Sequence, residues 1–182
     1  MKKITVISAK RLAFAAMFSA LAFVLTFLEF PIFPAASYLK LDFSFAVLLI
    51  GSFVLGAPLG AVMIVITELL CMVKSSSGYV GELANIILGA CFILIPVIMY
   101  KYKKTFATAL IGIIIGSVLQ TAASLLCNRF IFLPLYMGSG AEEAFKEFWV
   151  YILLFNIIKC AANGIITVIL YKRTSKLLHK II

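Results

Sequence analysis

Four apolar runs of membrane-crossing length, at 12–30, 82–100, 105–126 and 149–171, dominate this 182-residue chain, and most of its charge is pushed into the gaps between them. A helix rises about 1.5 Å per residue, so about 20 residues cross the roughly 30 Å of hydrocarbon in a bilayer. With 64% hydrophobic residues and only 13% charged ones, the chain lacks the polar surface that a water-soluble domain of this size needs.

The stretch 43–72 is also apolar but too long for one ordinary crossing, and it carries Gly51, Gly56, Pro58 and Gly60. Proline and clustered glycine stop helices, so it reads as two short helices turning at Gly56-Ala57-Pro58-Leu59-Gly60. The expected fold is an all-α integral membrane bundle of six transmembrane helices with both termini cytoplasmic. It forms one domain over 1–182, with 1–11 and 172–182 cytoplasmic and 31–44 and 127–148 as exterior loops.

Charge placement supports that count. Lys2, Lys3, Lys10, Arg11, Lys101, Lys103, Lys104, Lys172, Arg173, Lys176 and Lys180 fall together on one side with no acid among them. Lys40, Lys74, Arg129 and Lys146 fall on the other. Short loops rich in Lys and Arg stay inside, whereas a five-helix count would separate the two termini and spoil the asymmetry. The net charge of +9 sits in small juxtamembrane groups that suit anionic lipid headgroups, and nothing in it resembles a nucleic-acid surface. The first run is long for a signal peptide and ends without a small-x-small cleavage site, so it is expected to remain as a helix. Cys71, Cys91, Cys127 and Cys160 have no CxxC spacing and His179 is alone, so no metal site is expected.

Both long exterior connections, 33–44 and 127–148, are rich in apolar side chains, which is costly for loops in water. They are expected to fold down as lids over the bundle, with anchoring at the membrane surface as the alternative. The segment AEEAFKEF at 141–148 reads as a short interfacial amphipathic helix.

In the last run, Asn156, Lys159 and Asn163 share one helical face. An ammonium deep in a span needs a carboxylate, water or a ligand. Pairing with Glu68 or Glu82 is one solution, and lining an internal site is the favoured one. Ser117, Gln120, Ser124 and Asn128 repeat the pattern along the fifth helix, the run at 105–126 and its end, where helix packing explains the inner end equally well; Asn128, at the mouth, is the candidate there. Glu82 and Asn85, in GELAN, share a face at the start of the fourth helix. Glu82 also suits a helix first turn, and the Asn85 amide can both donate and accept. These amides favour a neutral, planar compound with amide-like edges and hydroxyls over an ion. Ala9, Ala13, Ala16 and Ala20 make a smooth strip along the first helix, fit either for internal packing or for docking another subunit, and Gly112-x-x-x-Gly116 is a second such pair.

No phosphate-binding loop and no nucleophile beside a histidine is present, so the chain has no evident engine of its own. Its length leaves little room for the inverted repeat of a secondary transporter.

Four segments carry a resemblance to a known family: Tyr38-Leu39-Lys40-Leu41-Asp42-Phe43-Ser44, Gly81-Glu82-Leu83-Ala84-Asn85, Asn128 to Tyr136 (NRFIFLPLY), and Phe155-Asn156-Ile157-Ile158-Lys159. Over about 9–173 the chain resembles the substrate-binding S components of energy-coupling factor vitamin transporters, closest to the riboflavin-specific type. The resemblance implies a riboflavin-capturing subunit of an ATP-driven importer in the bacterial cytoplasmic membrane, not an enzyme. Riboflavin would be its transported substrate, with no cofactor. A transmembrane coupling (T) subunit and two cytoplasmic ATPase subunits would be its partners. It further implies that Asn128, Asn156 and Lys159 hydrogen-bond the flavin ring edge or ribityl chain. Leu39, Leu41, Asp42 and Phe43 would help close the pocket, and Ala16 and Ala20, extended by Ala13, would contact the coupling subunit. Helical geometry adds Glu82, Asn85 and Asn163 to the candidate site. The alternatives are an S component for another small vitamin such as thiamine or biotin, a small intramembrane enzyme using Lys159 with Glu68 or Glu82, and an assembly subunit that binds no ligand.

Overall fold

The computed structural model describes residues 8–75 and 78–181, with side chains described as far as residue 171. Lys2 and Lys3 and the side chains of Lys172, Arg173, Lys176, His179 and Lys180, on which part of the expected orientation rests, lie outside the described residues.

Helix α1 (Ala9–Leu25) begins where the Ser8 hydroxyl accepts from the Arg11 N–H, satisfying one of the orphan donors of a helix start. After a short 3-10 turn, the chain crosses the end of the bundle. There it makes the two-residue antiparallel pairing of β1 (Phe30–Pro31) with β2 (Lys40–Leu41). Helices α2 (Ser44–Leu55) and α3 (Ala57–Cys71) follow, divided at Gly56 as expected. Gly56 has φ +90°, where a side chain would be strained, and Pro58 suits the first turn of α3, where its missing N–H costs nothing. Then come α4 (Val80–Tyr102), α5 (Phe106–Cys127), the short α6 (Leu133–Met137) and the 41-residue α7 (Ala141–Ile181).

The result is an all-α helical membrane bundle. Stretches Ala9–Leu28, Ala57–Lys74, Val80–Tyr102 and Phe106–Tyr171 are each long and apolar enough to cross a bilayer. Shorter α2 is the central element, packed by α1, α3, α4 and α7, and all of its residues but Val54 are buried. That explains its sequence, which is apolar on every side instead of striped.

Two expectations about 127–148 need correction. The segment is helical for most of its length, because α5 passes through a π-helical turn at Asn128–Phe132 directly into α6. AEEAFKEF forms no separate helix: it is the opening of α7, since nothing between Phe148 and Trp149 stops a helix. The chain breaks instead at Gly138, with φ +58°.

Helices α4 and α5 approach closely, and Pro96 together with Gly112 and Gly116 explains how. Pro96 has no N–H to give the Phe92 carbonyl, and that oxygen faces Gly116, where an added Cβ would lie 2.9 Å from it. A Cβ on Gly112 would come within 2.6 Å of Pro96 Cα. This glycine pair is therefore internal packing. At the end of the bundle formed by these helices' Tyr100 side, Arg11 donates to the Leu55 carbonyl, Tyr171 donates to Tyr100 at 2.9 Å, and Phe53 packs on both tyrosine rings.

The 33–41 connection folds down. Ala36, Leu39 and Leu41 join Leu133, Ala141, Ala144, Ile152 and Phe155 in a second apolar cluster, separate from the main core. Phe33 meets Tyr151 and Tyr38 meets Phe148 edge to face, at 5.4 and 6.0 Å. Burying these groups against α7 removes the cost of exposing them, so the lid arrangement expected of this loop is the one adopted.

Candidate functional site

Beneath that lid, at the end of the bundle remote from the Arg11–Leu55 contact, lies a cavity of about 410 Å3 bounded by α3, α4, α5 and α7. Its polar wall is built one helical turn at a time. Asn156 and Lys159 come from α7, Glu82 and Asn85 from α4, Gln120, Ser124 and Asn128 from α5 and the turn after it, and Glu68 from α3.

Lys159 is 5% exposed, and its charge is met within the protein. Its Nζ lies 3.3 Å from Asp42 Oδ2 and 3.2 Å from Asn85 Oδ1, and 4.5 Å from the centre of the Phe45 ring. The partner carboxylate is thus Asp42, from the connection before α2, and not Glu68 or Glu82. Burial pulls the Asp42 pKa up, but the neighbouring ammonium and the bonds from the Ser44 N–H and hydroxyl outweigh it and hold the carboxyl below its ordinary value. Asn85 extends the chain of contacts by donating to Glu68 Oε2 at 3.3 Å.

A second, amide-lined group occupies the α5 side. Asn156 donates to Ser124 Oγ at 2.7 Å and to the Ile152 carbonyl at 2.9 Å, while Gln120 donates to Asn156 Oδ1 at 3.0 Å. Asn128 donates to the Ser124 carbonyl at 2.8 Å. These bonds lock the side chains into one arrangement before any ligand arrives, which lowers the ordering cost of binding.

At the mouth, Glu29 joins three segments. Lys40 Nζ stands 3.0 Å from its Oε1 and Lys74 Nζ 3.4 Å from its Oε2, and Lys74 also donates to the Thr26 carbonyl at 2.6 Å. Glu82 accepts from Ser75 Oγ at 3.0 Å.

Of the candidate residues, Leu39, Asp42, Glu82, Asn85, Asn128, Asn156 and Lys159 line this one cavity. Leu41 and Phe43 do not: Leu41 belongs to the apolar cluster under the lid, and Phe43 packs against it. Asn163 is fully buried away from the cavity. It accepts from the Ala46 N–H at 2.8 Å and donates to the carbonyls of Asp42 and Lys159, both at 3.0 Å, so it clamps the start of α2 to α7. Sharing a helical face with Lys159 placed it on the inward side of α7 but one turn too deep. Glu68 and Gln120, outside the candidate list, also line the cavity. By sequence Glu68 is a partner for Lys159 and Gln120 a packing residue, although the spacing of Gln120 to Ser124 and Asn128 carries the signal. Ala13, Ala16 and Ala20 are exposed on α1, on the face turned away from the bundle.

Compared with known proteins, residues 10–172 match the family model of the ECF transporter, substrate-specific component. The chain belongs to this family. It is 35% identical to the riboflavin transporter RibU of Staphylococcus aureus (strain TCH60), covering 99% of this chain and 98% of that one. It is 32% identical to the riboflavin transporter FmnP of Bacillus subtilis (strain 168), over 82% and 84% of the two chains. The solved S component of a bacterial ECF transporter superposes with a TM-score of 0.81 at 36% identity, covering 93% of this chain and 97% of that one. As a substrate-specific component the protein is a multi-pass membrane subunit that binds a substrate and carries out no reaction on it. Its family implies a coupling subunit and ATPase subunits as partners.

Proposed function

We propose that this substrate-specific component captures riboflavin through the cavity beneath the 33–41 lid and delivers it to an ATP-driven importer. The carrying observation is the pairing of a half-enclosed, partly apolar cavity with two preorganised polar groups, one around Lys159 and one around Asn156. At about 410 Å3 the space falls within the roughly 300–1,000 Å3 of small-molecule sites. Riboflavin is uncharged, with a flat ring, an imide edge and a hydroxylated chain, and so needs a few directed donors and acceptors in an apolar setting. Identity to riboflavin transporters over nearly the whole chain supports the same reading. The residues proposed to touch ligand are Leu39, Asp42, Glu82, Asn85, Asn128, Asn156 and Lys159.

In the proposed topology, α1, α2, α3, α4, α5 and α7 are the six crossings of a single domain and both termini are cytoplasmic. That places Arg11 and Tyr100 inside and the cavity mouth outside. The exposed strip of Ala13, Ala16 and Ala20 is then proposed to contact the coupling subunit, which two cytoplasmic ATPases drive. Titration of the purified full chain in detergent tests the assignment: riboflavin should bind stoichiometrically and quench on binding, with thiamine and biotin unable to compete. No binding of riboflavin, or displacement by thiamine or biotin, would reject it.

A further inference from the structure

Among the described residues, three buried side-chain polar atoms have no hydrogen-bond partner in the protein: Ser19 Oγ, Glu68 Oε1 and Gln120 Oε1. Two of them, Glu68 Oε1 and Gln120 Oε1, belong to residues that line the cavity, on α3 and α5, and both residues are 1% exposed. A buried acceptor without a donor is unfavourable, and Leu or Met of similar volume would fill the same space without that cost.

Each orphan acceptor has a distinct donor beside it. Lys159 has three N–H groups, and two go to Asp42 and Asn85; Asn85 in turn holds Glu68 by its other carboxylate oxygen. One donor on Lys159 and one acceptor on Glu68 therefore remain at this end. A hydroxyl both accepts and donates, and it satisfies the two together. On the α5 side Gln120 gives one amide hydrogen to Asn156 and keeps a second, so its amide offers an acceptor and a donor in one plane. An imide edge, which carries N–H beside C=O, matches that pattern.

Resting on the riboflavin reading, we propose that Glu68 and Gln120 are the specificity-determining acceptors of this site, Glu68 for a ribityl hydroxyl and Gln120 for the imide N–H of the flavin ring. Their role is to make binding depend on ligand donors: a flavin lacking either donor leaves a buried oxygen unpaired in the complex, which penalises that analogue more than loss of the contact alone would.

The test measures affinities of the full chain in detergent for riboflavin, for riboflavin methylated on its imide nitrogen, and for lumiflavin, which has a methyl group in place of the ribityl chain. Wild type should bind the methylated flavin at least about tenfold more weakly than riboflavin, equivalent to about 1.4 kcal/mol. Gln120→Met should reduce that preference to within about threefold, and Glu68→Leu should weaken riboflavin about tenfold while shifting lumiflavin by less than about threefold. Because wild type alone tests the imide contact, a variant that fails to fold does not rescue the proposal. Equal losses for all ligands in both variants, or a wild type indifferent to imide methylation, would overturn it. A wild type that binds none of the three flavins would instead reject the riboflavin reading itself.

Discussion

Removing the ammonium of Lys159 should cost more than removing its carboxylate partner, and the reason lies in what each group has left. With Lys159→Met, Asp42 keeps the Ser44 N–H bond at 2.8 Å and the Ser44 hydroxyl, but it becomes a buried anion with no cation in contact. Asn85 Oδ1 also loses its donor and Phe45 its cation. Breaking a buried ion pair from one side costs about 3–5 kcal/mol, and the surviving Ser44 bonds argue for about 3. For a chain of this size that lowers Tm by roughly 6–12 °C. In Asp42→Asn the ammonium still meets Asn85 Oδ1, with the Glu68 carboxylate one hydrogen bond further on, so the expected loss is about half as large. The double variant strands no charge and should recover at least half of the Lys159→Met loss. Thermal unfolding of the four proteins in one detergent, followed by circular dichroism, measures all of this. Strictly additive losses, or a Lys159→Met shift below about 2 °C, would refute the claim that this pair is mutually neutralising.

The same ion pair predicts a pH response, and two other contacts predict losses of stability. The depressed Asp42 carboxyl gives a direction for pH: its stabilisation is complete above its ordinary value of 3.8 and is lost only as pH falls through the still lower folded value, so the Tm difference between wild type and Asp42→Asn should stay constant from about pH 7 to about pH 5 and shrink below about pH 4. Asn163→Leu removes the bonds to Ala46 N–H and the Asp42 carbonyl; it should lower stability by about 2–3 kcal/mol in denaturation while costing riboflavin affinity less than Asn156→Leu does in titration. Gly112→Ala drives a Cβ into the Pro96 backbone and should destabilise by about 1–3 kcal/mol, whereas Gly164→Ala meets only Ile113 Cγ2, at 3.1 Å, and should be tolerated when both are compared by thermal scan.

Much of the local organisation was legible without coordinates. The division of 43–72 at Gly56, the inward face of α7 bearing Asn156 and Lys159, and the downward fold of an apolar lid all follow from neighbours in the chain, where helical period and backbone stereochemistry act. Most of the candidate ligand residues also prove to share one cavity. By contrast, AEEAFKEF read as a separate helix because its polar pattern changes at Phe148, yet the backbone has no reason to stop there.

The apolar runs by themselves determined that this chain lives in a membrane and that an ammonium at 159 must be neutralised, since hydrocarbon offers no water to do it. Which group neutralises it was decided only by tertiary structure. Asp42 lies 117 positions away from Lys159, and Glu68 and Glu82 were available to compete. Helical period fixes the side of a helix a residue faces but not the depth at which a neighbouring helix ends. That depth is why Asn163 became a clamp on α2, while Glu68 and Gln120 line the cavity, each with a buried oxygen that no protein group bonds.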